Sequence, residues 1–120
     1  MKRIARFEKV SFRQFSDGWD DTFQAIEKGE NKDQSKETLK EIYGRIKLPR
    51  RATAGSAGYD FFAPVDIILN PGETIKIPTG IRVWMEPEWV LKCYPRSGLG
   101  FKFRLQLNNT VGIIDSNYYN

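Results

Sequence analysis

The sequence predicts a mainly β fold with a short helical lead-in, and three observations carry that expectation. After Pro49, short apolar alternations recur, each closed by a Pro/Gly turn. Before Pro49, aromatic and aliphatic residues recur at steps of three and four, the period of a helix face. No apolar run approaches the roughly 20 residues needed to span a bilayer. Short strands spaced by turns leave three antiparallel architectures open: a sandwich, a jelly roll or a barrel.

In chain order, Ile4 to Val10 reads as an edge strand. From Ser11 onward Phe12, Phe15, Trp19, Phe23 and Ile26 form one apolar stripe. Gly18 interrupts the stripe, so one helix or two shorter ones would satisfy it. Gly29 to Asp33 is a polar break. A second helix is expected from Ser35, as N-cap, through Leu39, Ile42, Tyr43 and Ile46, with Pro49 as its latest end. Both stripes are read as packing surface. Beyond Pro49, Val65, Ile67 and Leu69 alternate up to an Asn70-Pro71-Gly72 turn, and Ile75 and Ile77 up to Pro78-Thr79-Gly80. Ile81, Val83 and Met85 follow, then Trp89, Leu91 and Cys93 before Pro95, and finally Val111 to Ile114. This divides the chain into an extension of one strand and two helices, residues 1–50, and a β domain, residues 51–120.

With 120 residues the chain has single-domain length. It contains no histidine, which excludes Ser-His-Asp and Cys-His catalysis and His-ligated metals. One cysteine excludes an internal disulfide and a Cys-rich zinc site. Cys93, in a strand-like alternation, is expected to be a packed thiol. Catalysis would have to rest on carboxylates, hydroxyls, Arg/Lys, backbone amides or a hard metal such as Mg²⁺. The basic start lacks the apolar stretch and cleavage site of a signal peptide, so a cytoplasmic location is expected, with no membrane partner.

The net charge of +4 is unevenly placed: residues 1–56 carry 13 Lys/Arg against 9 Asp/Glu, and residues 57–120 carry 6 of each. Arg45, Lys47, Arg50 and Arg51 form the densest cluster. It could attract phosphates, but cations at a helix C-terminus explain it as well. No recognition-helix motif accompanies it, so no specific nucleic-acid partner is expected.

Three segments concentrate chemistry. In Pro95-Arg-Ser-Gly-Leu-Gly100, Arg96 offers a planar fork of donors for phosphate oxygens and Ser97 a hydroxyl, while Gly98 and Gly100 let backbone N–H groups approach an anion. In Ala57-Gly-Tyr-Asp60, Asp60 could hold Mg²⁺ through water or pair with the arginine. In Gly112-Ile-Ile-Asp-Ser-Asn-Tyr118, Asp115 leaves an apolar strand where partial desolvation would tune it as a base, and Tyr118 presents a flat ring. Taken singly, each also reads as an ordinary turn.

Together, in this order, the segments resemble the first three signature motifs of trimeric dUTP diphosphatases (dUTPases), in a bacterial and phage-like branch. The resemblance implies a dUTPase-like β-clip or jelly-roll barrel that hydrolyses dUTP to dUMP and pyrophosphate, with Mg²⁺ on the triphosphate. By resemblance, Asp115 is the base for the attacking water, with Asp60 in the metal's water shell and no direct protein ligand to the metal. Arg96, Ser97 and Gly98 would grip phosphate. Asn109, with the main chain of Gly112, Ile113 and Ile114, would read uracil, and Tyr118 would stack on the deoxyribose. A homotrimer with sites between subunits is implied. Asn117 and the Tyr119-Asn120 pair depart from the commoner family pattern, and the family's fourth and fifth motifs are absent from these residues, so the 120 residues alone are expected not to turn dUTP over efficiently. A dCTP deaminase relative would prefer Arg-Ser-Ser where Arg96-Ser97-Gly98 stands. A non-catalytic module binding nucleotide or a partner is the other alternative.

Overall fold

Ser11 starts the first helix: its Oγ accepts the Gln14 N–H at 3.1 Å and its carbonyl accepts the Phe15 N–H at 3.0 Å. The computed structural model describes residues 1–27 and 38–119. Its elements are β1 (Ala5–Lys9), α1 (Phe12–Glu27), α2 (Leu39–Gly44), β2 (Ile81–Met85), β3 (Val90–Cys93), α3 (Ser97–Phe103) and β4 (Gly112–Asp115). β1 and β2 form one two-stranded sheet, β3 and β4 another. Residues cluster into two units, one of residues 7–82 and one of residues 1–6 with 83–120.

In the 7–82 unit, α1 runs unbroken through Gly18, where the sequence allowed a break. A Cβ on Gly18 would lie 3.4 Å from Pro78 Cβ, an ordinary contact distance. From Phe12 to Phe23 the stripe faces inward as expected. Phe15 is 1% exposed and, with Val10 and Ile42, forms a core joined by Trp19, Leu39, Tyr43, Ile46 and Val65. Phe15 stands 5.7 Å from the Trp19 ring and 5.8 Å from Tyr43. Burying such a side chain contributes about 2–3 kcal/mol.

The second helix starts at Thr38, whose hydroxyl accepts the Glu41 N–H at 3.2 Å, and ends at Gly44, so Ile46 lies past it. The expected cap Ser35 is outside the described residues. Lys9 reaches the far end of α2, donating to the carbonyls of Tyr43 (3.1 Å) and Gly44 (3.5 Å), where a cation complements the helix dipole. Tyr43 Oη donates to Val10 C=O at 2.6 Å.

The expected strands at 65–69 and 75–77 keep alternate burial but join no ladder. The turn between them forms as predicted: Gly72 takes φ 83°, Glu73 N–H donates to Asn70 C=O at 3.0 Å, and the Asn70 side chain donates to Glu73 at 3.0 Å. Those side-chain and backbone bonds from Asn70 hold the Glu73 carboxyl below its usual pKa. Gly80, at φ 72°, accepts the Val10 N–H at 2.9 Å.

In the other unit, Glu86 N–H donates to Ile4 C=O at 2.9 Å. Val83 and Met85 are buried, Arg6 lies over the Trp84 ring at 4.8 Å, and the β3–β4 hairpin frames the rest. Among the described residues no helix is long and apolar enough to cross a membrane.

Candidate functional site

β3 and β4 pair antiparallel with Val90 opposite Asp115, Leu91 opposite Ile114, Lys92 opposite Ile113 and Cys93 opposite Gly112. Side chains alternate, so Leu91, Cys93 and Ile114 share a half-buried face with Gly112, and Val90, Lys92, Ile113 and Asp115 share an exposed one. Asp115 therefore stands in solvent, not desolvated as the sequence suggested, because nothing in the unit covers that face of a two-stranded ribbon. Gly112 packs closely on β3: a Cβ there would come within 3.1 Å of Cys93 Cβ. Burial raises the Cys93 thiol pKa, as expected of a packed rather than reactive cysteine.

The chain leaves β3 at Cys93, and the Pro95 to Gly100 segment follows. The sequence read it as a glycine turn, but the structure makes Ser97–Phe103 a helix. No β-branched residue or proline opposes it, and Leu99 and Phe103 stand one turn apart. Arg96 is the N-cap, with φ −64° and ψ 144° and no side-chain capping bond. Arg104 closes the helix at φ 55°, its N–H donating to Gly100 C=O at 3.1 Å, while Leu105 N–H donates to Leu99 C=O at 3.3 Å. Arg96, Ser97 and Gly98 are exposed, and nothing lies within 4 Å of where a Gly98 Cβ would stand. Phe101 (86% exposed) and Phe103 (72%) also face solvent.

The return to β4 passes Asn109. Thr110 N–H donates to Leu107 C=O at 3.0 Å, and Val111 N–H to Asn109 C=O at 2.8 Å. Thr110, between them, has φ 70°, so Asn109 enters the strand through a γ-turn of the rare positive-φ form. A β-branched residue there is a backbone outlier, the kind of local strain that clusters at functional sites. Past β4, Tyr118 N–H donates to Asp115 C=O at 3.0 Å and Ser116 Oγ to Pro87 C=O at 3.4 Å, fixing the turn that presents Tyr118, 69% exposed.

Asp60 belongs to the 7–82 unit. It is half-buried and bridges Arg50: its N–H donates to Arg50 C=O at 2.8 Å, and Arg50 N–H donates back at 3.3 Å. Among the described residues no three Cys, Asp or Glu side chains cluster to hold a metal.

The hairpin thus gathers Arg96, Ser97, Gly98, Asn109 and Gly112 toward its Cys93/Gly112 end, and puts Asp115 and Tyr118 at its Val90/Asp115 end. Three residue steps, about 10 Å of strand, separate the ends. The strain at Thr110 left no mark in the sequence, since neither Asn nor Gly occupies that position. The helix at 97–103 did leave one, in the Leu99/Phe103 spacing.

A family model described as dUTPase matches residues 44–120. The chain belongs to the dUTPase family. dUTPases adopt the β-clip, jelly-roll class that the sequence predicted, and the two small sheets are consistent with it. Similar curated proteins carry the name deoxyuridine 5'-triphosphate nucleotidohydrolase. The one from Psychromonas ingrahamii is 51% identical over 74 residues, 59% of this chain and 49% of the relative. That from Pseudomonas fluorescens is 49% identical over 74 residues, with the same shares of each chain. That from Polynucleobacter necessarius is 46% identical over 77 residues, 62% of this chain and 52% of the relative. The chain spans about half the length of the curated relatives it matches. No solved structure matches it.

Proposed function

We propose that the chain supplies the phosphate-gripping and uracil-reading parts of a dUTP diphosphatase, which hydrolyses dUTP to dUMP and pyrophosphate in pyrimidine deoxynucleotide metabolism. Asp115 orients the attacking water and takes its proton as the water adds to the α-phosphorus. Arg96, Ser97 and the Gly98 backbone hold phosphate oxygens and offset charge moving toward the leaving pyrophosphate. Asn109 and the main chain of Gly112 to Ile114 read the uracil edge. Tyr118 packs on the deoxyribose and crowds a 2′-hydroxyl, excluding UTP. Mg²⁺ arrives on the triphosphate as part of the substrate. A single half-buried carboxylate, Asp60, suits a place in that ion's water shell better than direct ligation.

The hairpin register carries this reading further. With the phosphate grip leaving one end and Asp115 standing in solvent at the other, a site formed between copies accommodates both. A homotrimer, each copy lending its grip to a neighbour's hairpin, would also cover Tyr94, Phe101, Phe103, Ile113 and Tyr118, an exposed apolar set a lone chain rarely keeps. We place the enzyme in the cytoplasm, with residues 1–50 as an extension of a β domain at 51–120, and expect these 120 residues alone to lack efficient turnover.

Calorimetric titration with dUTP, dCTP and UTP in Mg²⁺ tests the reading. It expects dUTP to bind at least tenfold tighter than either competitor, and Arg96→Ala to cost at least tenfold for dUTP. Equal affinity for the three nucleotides, or an Arg96→Ala chain that binds like the parent, would overturn it.

A further inference from the structure

We propose that the pocket beside Phe62 is a second phosphate-binding site, one that takes phosphate groups presented by single-stranded nucleic acid or by free pyrophosphate. The pocket has a volume of about 310 Å³ and is lined by Arg45, Ile46, Lys47 and the 62–66 segment, all within the 7–82 unit. None of the motif residues lines it. That size is at the small end of ligand sites, enough for a phosphate with its water but not for a large apolar ligand.

Two cations stand over the Phe62 ring, Lys47 in the pocket lining and Arg50 beside it. Lys47 Nζ lies 5.7 Å and Arg50 Cζ 5.5 Å from the centre of the Phe62 ring. A ring face orients a cation and restricts its rotamers without cancelling its charge. Among the described residues neither Lys47 nor Arg50 makes an ion pair, and both are exposed. The backbone beneath them is pinned by the Arg50–Asp60 bridge and by buried Pro49 and Pro64. The period of two puts Arg50 and Phe62 on one face of that bridge; Tyr59 and Phe61 take the other, against Phe7 at 5.4 Å each. Arg51, over Tyr59, therefore faces away from the pocket.

Two carboxylates share the neighbourhood, Asp66 in the lining and Asp60 across from Arg50, against Arg45, Lys47 and Arg50. The balance stays positive. The helix end accounts for Arg45, the C-cap of α2, but not for Lys47 and Arg50, which lie beyond it, and Lys9 already bonds the carbonyls of Tyr43 and Gly44. Arginine's donor fork beside a lysine point charge suits phosphate, whose several oxygens and charge can meet both cations at once. Such contacts carry no sequence preference.

The test uses the 120-residue chain and two probes: a fluorescent 15-nucleotide oligothymidylate followed by anisotropy, and inorganic pyrophosphate followed by calorimetry. Lys47→Gln/Arg50→Gln is expected to weaken binding at least tenfold and, for the oligonucleotide, to lower the log–log salt slope by about 1.4, the share of two phosphate contacts on a single strand. Arg3→Gln/Arg13→Gln, which removes equal charge elsewhere, should bind like the parent, as should the charge-keeping Lys47→Arg/Arg50→Lys. Arg96→Ala should lose dUTP and keep the oligonucleotide, so this site and the catalytic reading fail separately. Loss confined to the oligonucleotide assigns the site to nucleic acid; loss confined to pyrophosphate assigns it to a small polyphosphate. Unchanged binding of both probes by Lys47→Gln/Arg50→Gln, or equal weakening by Arg3→Gln/Arg13→Gln, overturns the proposal.

Discussion

Gly80→Ala is the substitution whose cost the structure fixes most tightly. Gly80 has φ 72°, where an alanine is strained by about 1 kcal/mol. Its new Cβ would stand 2.6 Å from Ile46 Cδ1 and 3.3 Å from Phe15 Cδ2. The Ile46 methyl must turn out of its packed position, and the Phe15 ring is fully buried and has nowhere to go. Such overpacking costs typically 1–3 kcal/mol, so the sum is about 3 kcal/mol, or roughly 12 °C in Tm for a chain of this size. Urea unfolding followed by circular dichroism measures it. Ile46→Val removes the nearest clashing atom, so the double variant should recover about 1 kcal/mol beyond additivity. A Gly80→Ala chain within 0.5 kcal/mol of the parent, or no coupling to Ile46→Val, would refute the argument.

Two further outcomes follow from particular residues. Thr110→Gly removes the strain of a β-branched residue at positive φ and should leave stability unchanged or higher by about 0.5–1 kcal/mol, while loosening Asn109 and weakening dUTP binding; parallel urea melts and dUTP titrations check both halves. Cys93 has a folded pKa raised by burial, so the thiol contributes stability that is fully present below the unfolded pKa, about 8.5, and is lost as pH rises through the folded value. A thiol reagent should accordingly react with folded chain at a higher pH midpoint than with urea-unfolded chain, and Cys93→Ala should flatten the alkaline fall in stability.

Much of this architecture was legible beforehand because local chemistry and packing agree. The Phe12–Phe23 stripe becomes a helix face, Asn70-Pro71-Gly72 makes its turn, and Ile81, Val83 and Met85 form a strand. Gly18 misled as a breaker because one glycine costs a helix only about 1 kcal/mol, and Phe15 and Trp19 on either side of it pack into the core. Ladders at 65–69 and 75–77 failed because alternation reports burial, whereas pairing needs a neighbour. Of the candidate site, the order of motifs could be read but not their placement at opposite ends of one hairpin, since register is a pairing property. The cations at Phe62 were visible only as a charge count until the bridge at Arg50 gave them a face.

Subunit mixing tests the shared-site account most directly. Arg96→Ala chains lack the grip and Tyr118→Ala chains lack the deoxyribose contact at the hairpin's other end, so each assembly alone should bind dUTP weakly. After mixing the two in equal amounts and exchanging subunits, about a quarter of the interfaces in a cyclic trimer pair an intact grip with an intact hairpin. Parent-like dUTP binding at about that fraction of sites is the expected result. A mixture that binds no better than its components would show that Arg96 and Tyr118 do not meet across a subunit boundary.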